Sequence, residues 1–218
     1  MKYSTRFAIV IAAFALPNAA ATAQPPPGPA AAGACELHLW PAERMNSMTQ
    51  GVIGGMLGAM MNAGRDASNR AQLASALDSP SQLDALQTLD LVTLLGLPAG
   101  TSIVRHEAPL VRNTMNRVKT RRSDSTANCY YELITADVLY HKSIYGKSLR
   151  TLFMLRAFGD DQRIDFEYKA WGGNGLEHFP PREGEDVTVA INELVDVFKR
   201  NFVEYANNER AAAARRRR

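Results

Sequence analysis

Cysteine is scarce, two residues in 218, which excludes a disulfide-dense mini-scaffold and a four-cysteine zinc site. No C-x-x-C, H-x-H, H-E-x-x-H or G-x-S-x-G is present. The local signatures of thiol redox catalysis, zinc hydrolysis and a serine nucleophile elbow are therefore missing. The apolar runs at 7–16 and 52–61 are ten residues long, well short of the ~20 that a straight membrane-spanning helix needs. Acidic residues are absent from the first 23 positions and from the last nine.

What is there is ordinary globular composition, 46% hydrophobic and 22% charged. This excludes wholesale disorder, collagen and coiled coil, and suits one domain. The net charge of +3 is unevenly spread. Lys2 and Arg6 sit at the front, and Arg210, Arg215, Arg216, Arg217 and Arg218 at the end. Between them, residues 24–209 carry 18 basic and 22 acidic side chains. A mildly acidic body offers no basic face for nucleic acid.

The front has the layout of a cleaved export signal. Lys2 and Arg6 precede the apolar run, Pro17 closes it, and Ala21-Thr22-Ala23 supplies small residues for cleavage between Ala23 and Gln24. An uncleaved anchor is one alternative. A lipoprotein with lipidated Cys35 is another, but 18 residues separate Leu16 from Cys35, and a lipidated cysteine follows the apolar run closely. Residues 24–34 (QPPPGPAAAGA) form a Pro/Ala linker. In an exported chain the two cysteines are expected to form a structural Cys35–Cys129 disulfide.

Residues 35–209 read as a single α+β domain. Residues 35–40 (CELHLW) alternate as a short strand ended by Pro41. Residues 43–77 are expected to be helical. A second helix starts near Ser79, with Ser79 as N-cap, Pro80 at the first position and Gln82 completing a capping box, and runs to Leu95 before Gly96 and Pro98. Residues 101–106 suggest a strand, and the basic stretch 107–128 an exposed loop. Three strands follow, at 129–141, 149–158 and 163–171. In the last, Ile164, Phe166, Tyr168 and Ala170 face inward while Arg163, Asp165, Glu167 and Lys169 face water. They make an antiparallel meander with one wet face. A helix over 186–207 carries the stripe Val187, Ile191, Leu194, Phe198, Phe202 and Tyr205. The expected architecture is an antiparallel or mixed sheet of about four to five strands, packed by N-terminal helices and a long amphipathic C-terminal helix. A tail follows at 210–218.

Several features invite a function. At about 100° per residue, Gly51, Gly54, Gly55 and Gly58 would share one helix face, and Met45, Met48, Val52, Met56 and Met60 another. Each glycine costs a helix about 1 kcal/mol, which close approach to a second surface would justify. That surface is the rest of the fold, a second copy or a membrane interface. The methionines alone are poor grounds for a copper site. The basic loop around 112–122 is either a solvated loop or a patch for an acidic partner. Arg215, Arg216, Arg217 and Arg218 suit an anionic lipid or lipopolysaccharide phosphate, or a solvated tail. Residues 171–178, glycine-rich and ending in His178, are either a connection or the wall of a pocket. Gly146-Lys147-Ser148 reads as a hairpin turn, because a phosphate-binding loop would need glycine where His141 stands. The four histidines are far apart with no ligand spacing, and Asp165 and Glu167 are flanked by Arg163 and Lys169. No cofactor, metal or catalytic residue is implied.

The order ELHLWP, helices, then CYYELITADVLY, LRTLFMLRAF, RIDFEYKAW and an amphipathic last helix resembles a group of small periplasmic α/β domains. These belong to outer-membrane activators of penicillin-binding proteins, the curli secretion channel, and the N-terminal part of the Tol-Pal propeller protein. The resemblance covers about 35–207 and carries over no functional residue. It departs from the activators in its poor lipidation box and its glycine-rich segment. It implies a non-catalytic adaptor or assembly role in the envelope. A peripheral membrane protein held by the glycine face and the Arg tail is the alternative. An enzyme with a pocket near Trp171–His178 is a third.

Overall fold

The computed structural model describes residues 35–49, 76–181 and 184–216. Gly51, Gly54, Gly55 and Gly58, the Ala23/Gln24 junction, the 24–34 linker and the side chains of Arg215, Arg216, Arg217 and Arg218 lie outside the described residues. The architecture is α+β, around a six-stranded mixed sheet, somewhat larger than expected.

The meander is its frame. Strands β4 (Cys129–Ser143), β5 (Gly146–Phe158) and β6 (Ile164–Leu176) are antiparallel neighbours. Strand β1 (Cys35–Trp40) lies parallel to the first half of β4, and β3 (Ser102–Arg105) lies parallel to β1. Since β4 has 15 residues and β1 only six, the far half of β4 needs a second partner for its backbone groups. Strand β2 (Met45–Thr49) supplies it, pairing parallel from Met45↔Val138 to Thr49↔Lys142. Here the helix expected from residue 43 is corrected. Met45 turns into the core while Met48 is 44% exposed, so the two do not share one helical stripe.

The kink between β1 and β2 explains a second correction. Helix α1 (Ser79–Gln87) is capped by Asp78, whose side chain accepts from Ser81 N–H. The expected cap, Ser79, instead donates to the Ala42 carbonyl. Gln82, fully buried, accepts from Ala42 N–H at 2.8 Å and donates to the Ala42 and Leu77 carbonyls. Both side chains serve the strand interruption rather than their own helix. Asp90 then caps a separate α2 (Leu91–Leu95), and Gly96 ends it in the left-handed region at φ 63°. Asp90 thus splits the expected single helix.

Helix α4 (Val187–Arg216) crosses one face of the sheet. Leu194, Val197, Phe198, Phe202 and Tyr205 are buried against Leu133, Leu149, Phe153 and Leu155. Phe153 lies 5.3–5.6 Å from the rings of Phe198, Phe202 and Tyr205. Val187, counted in the expected stripe, is exposed.

The expected glycine-rich connection is part of strand β6. A Cβ on Gly172 would stand 2.2 Å from the Asn201 carbonyl oxygen and 2.8 Å from that residue's Cα. The missing side chain lets α4 lie directly on the strand, where Asn201 Nδ2 donates to the Leu149 carbonyl and accepts, through Oδ1, from Asn174. Gly172→Ala is expected to cost about 1–3 kcal/mol or more, as overpacking against backbone. Gly173→Ala, which meets only the Arg150 side chain at 3.6 Å, serves as the mild control. Equal melting temperatures for the two variants would contradict this packing.

The opposite, outer face is not simply wet. Two bulges change the phase of the alternation, one between Thr135 and Asp137 and one between Ala157 and Phe158. Ile164, expected inward with Phe166, therefore packs on the outer side with Trp40, Tyr130, Ile134, Met154 and Phe158. Residues 107–128, including the short α3 (Arg112–Met115), cover this second core through Leu110 and Met115.

Candidate functional site

Two polar clusters hold that covering segment in place. The first rests on Glu132 and Arg156, both fully buried on neighbouring strands. Arg156 donates from NH2 to the Met115 carbonyl at 2.7 Å and from Nε to Glu167 at 2.8 Å. Arg122 donates from its backbone N–H to Glu132 Oε1 at 2.9 Å, and from NH2 to the Thr114 and Met115 carbonyls. Both guanidiniums stand near Glu132 Oε2, at 3.8 and 3.9 Å. Burial holds the Glu132 carboxyl above its ordinary value, against the opposing pull of the Arg122 N–H and these two cations. The basic segment is thus no exposed acidic-partner patch throughout. Arg122 turns inward to close α3, Arg121 lies over the Tyr130 ring at 4.8 Å, and Arg117 and Lys119 remain exposed.

The second cluster was not legible in the sequence. Strand β1 places Glu36, His38 and Trp40 on the outer face, and the parallel β3 delivers His106 beside them. His38 Nδ1 lies 2.8 Å from His106 Nε2, and His38 Nε2 lies 3.0 Å from Glu36 Oε2. Ser125 Oγ donates to the same carboxylate oxygen. His106 stacks on Trp40 with centroids 4.0 Å apart. An ionised carboxylate only accepts. With the histidines neutral, His38 Nε2–H donates to Glu36, and His38 Nδ1 accepts from His106 Nε2–H.

Ser125 meets the Glu36 carboxylate rather than an imidazole. The hydrogen bonds from Ser125 and His38 hold the Glu36 carboxyl low. Burial pushes His38 down despite Glu36, and burial with the neighbouring His38 pushes His106 down. Neutral histidines in the fold and an unfolded value of 6.5 mean that the unfolded chain binds more protons. The contribution of these two histidines to stability is accordingly full above pH 6.5 and is lost as pH drops below it. A further loss follows below 4.5, the ordinary value of Glu36. The urea midpoint is expected to fall between pH 7 and pH 5, and His106→Gln to flatten that slope. An unchanged slope in the variant would contradict the assignment.

The residues singled out near 171–178 are engaged in the fold. Glu193 of α4 accepts from the backbone N–H groups of Glu177, His178 and Phe179 at 2.6–2.9 Å. Trp171 stands on the outer face under Arg150, at 5.3 Å. Among the described residues no group of three or more His, Cys, Asp or Glu side chains is placed to hold a metal ion. No described helix is long and apolar enough to cross a membrane. The cysteines are joined as a Cys35–Cys129 disulfide, on paired positions of β1 and β4.

No protein-family model matches the chain, and no curated protein matches it. Among solved structures it is similar to a candidate lipoprotein of Caulobacter crescentus, with 15% identity, 40% of this chain and 64% of that one, at TM-score 0.29. A hypothetical protein of Chlamydia trachomatis matches at 8% identity over 84% of this chain and 96% of that one, with TM-score 0.38. A lipoprotein of Neisseria meningitidis matches at 8% identity over 74% and 93%, with TM-score 0.23. This chain thus spans less than two thirds of the Caulobacter protein. At these TM-scores the likenesses assign neither fold nor function, and they do not name the activators, secretion channel or propeller protein that the element order resembles.

Proposed function

We propose that this is an exported envelope protein that acts without catalysis and binds another envelope protein through the outer face of its sheet. One observation carries the reading. The segment 107–128 covers the outer face over the β1 end of the sheet, whereas the half beyond the Thr135/Asp137 bulge carries partly exposed apolar groups. Met48 (44% exposed), Leu139, Leu152 and Trp171 (38% exposed) share that face with Arg150. Gly173 and Gly175 leave the neighbouring strand bare of side chains. Aromatic, Met and Arg side chains on an open sheet are typical of the centre of a protein interface. Export rests on the leader-like front and on a disulfide of the kind that persists in oxidising compartments.

A photo-crosslinking amino acid at position 171, compared with one at exposed position 117, tests this in cells. The expected result is a discrete adduct with one envelope protein from position 171 alone. Adducts of equal strength from both positions, or none from position 171, would overturn the proposal.

A further inference from the structure

The end of the β4–β5 hairpin presents a different chemistry. Ile144 is 63% exposed and Tyr145 94%, on the two-residue connection between Ser143 and Gly146. Lys142 and Lys147 face each other directly behind them in the ladder; Lys147 Nζ donates to the Glu177 carbonyl at 2.8 Å, whereas Lys142 is exposed. Strand β2 brings the chain to the same level, since Thr49 pairs with Lys142, and the apolar run 52–61 follows in sequence. Two side chains on a narrow turn offer far less than the ~800 Å² that each partner contributes to a standard protein interface. An aliphatic residue, a tyrosine and the exposed Lys142 on a projecting turn instead suit a membrane surface. There the ring sits among headgroups and the Lys142 ammonium meets lipid phosphates.

We propose that the Ile144–Tyr145 turn, backed by Lys142, is a contact site for an anionic lipid surface. It is a second surface, distinct from the outer-face patch. It is also separate from the Arg tail. Helix α4 passes Glu177 with Glu193, Thr151 with Asn201 and Tyr168 with Tyr205, so it runs away from the hairpin and ends at Arg216 far from it.

The test is co-sedimentation of the chain from Gln24 to Arg218 with phosphatidylglycerol/phosphatidylethanolamine vesicles. Ile144→Ser with Tyr145→Ser is expected to bind about tenfold more weakly, and Lys142→Gln about fivefold. Removal of 210–218 is expected to leave binding in place. A Tyr145→Trp variant, which keeps the turn aromatic, is expected to show a blue-shifted emission on adding vesicles. Wild-type binding by the double serine variant, loss of binding on tail removal alone, or an unshifted emission would overturn the proposal. So would concentration-dependent self-association that the serine variant abolishes, which would assign the turn to a second copy. Vesicle binding is read on purified protein, so it succeeds or fails independently of export and of the crosslinked partner.

Discussion

Removing the disulfide, by Cys35→Ala with Cys129→Ala, is expected to lower the free energy of unfolding by about 4–5 kcal/mol on the chain-entropy account. The crosslink closes a separation of 94 residues, which contains helices α1, α2 and α3 and the strands β1, β2 and β3 of the parallel pairings. Those pairings join segments far apart in the chain, so closing the loop in the unfolded state removes much of their entropic cost. Urea denaturation of the oxidised protein and the double variant measures the difference. A loss under about 1 kcal/mol would show that the unfolded chain gains little freedom without the bond. The same sulfur decides a second question. Cys35 Sγ cannot carry both this disulfide and a lipid thioether, so a disulfide-bonded chain is not a lipoprotein through Cys35.

Arg156→Met is expected to cost about 3–5 kcal/mol, the usual result of stripping one partner from a buried ion pair. It leaves the Arg122 guanidinium, at 3.8 Å, as the one cation among the described residues beside buried Glu132, and takes one of two donors from the Met115 carbonyl. Adding Glu132→Gln should recover a substantial part, because the lone buried charge goes with it. A double-mutant cycle reads that coupling directly. Simple additivity of the two single losses would contradict a charge network and point to packing alone. Loosening of 107–128, seen as faster amide exchange at Asn116 and Val118, should accompany the single variant.

Much of the frame was legible because local patterns and tertiary demands agree. Alternation in CELHLW and over the meander gave the strands, and the 3.6-residue stripe through Leu194, Phe198 and Phe202 gave the last helix. Strand β2 was hidden, since Met-Asn-Ser-Met-Thr has little strand propensity of its own and is extended because β4 needs a partner. The covered outer face was hidden by the bulges at Ala136 and Asp165, which send Ile164 and Phe166 to opposite sides although they are two residues apart. The histidine pair was hidden by 68 residues of separation, closed only by the parallel register of β1 and β3. One signal was present: Glu36, His38 and Trp40 alternate with Leu37 and Leu39, and a tryptophan on that polar side suits a buried surface. The two polar clusters follow from that second face, and they explain why a basic segment lies against an acidic body.

The intact mass of the protein recovered from the envelope fraction of its own cells, under non-reducing conditions, tests the account most directly. The expected mass is that of the chain beginning at Gln24, less two hydrogens for the Cys35–Cys129 bond and with no added acyl mass. A chain beginning at Cys35 with lipid attached, two free thiols, or a chain that retains Met1 and stays out of the envelope would contradict it.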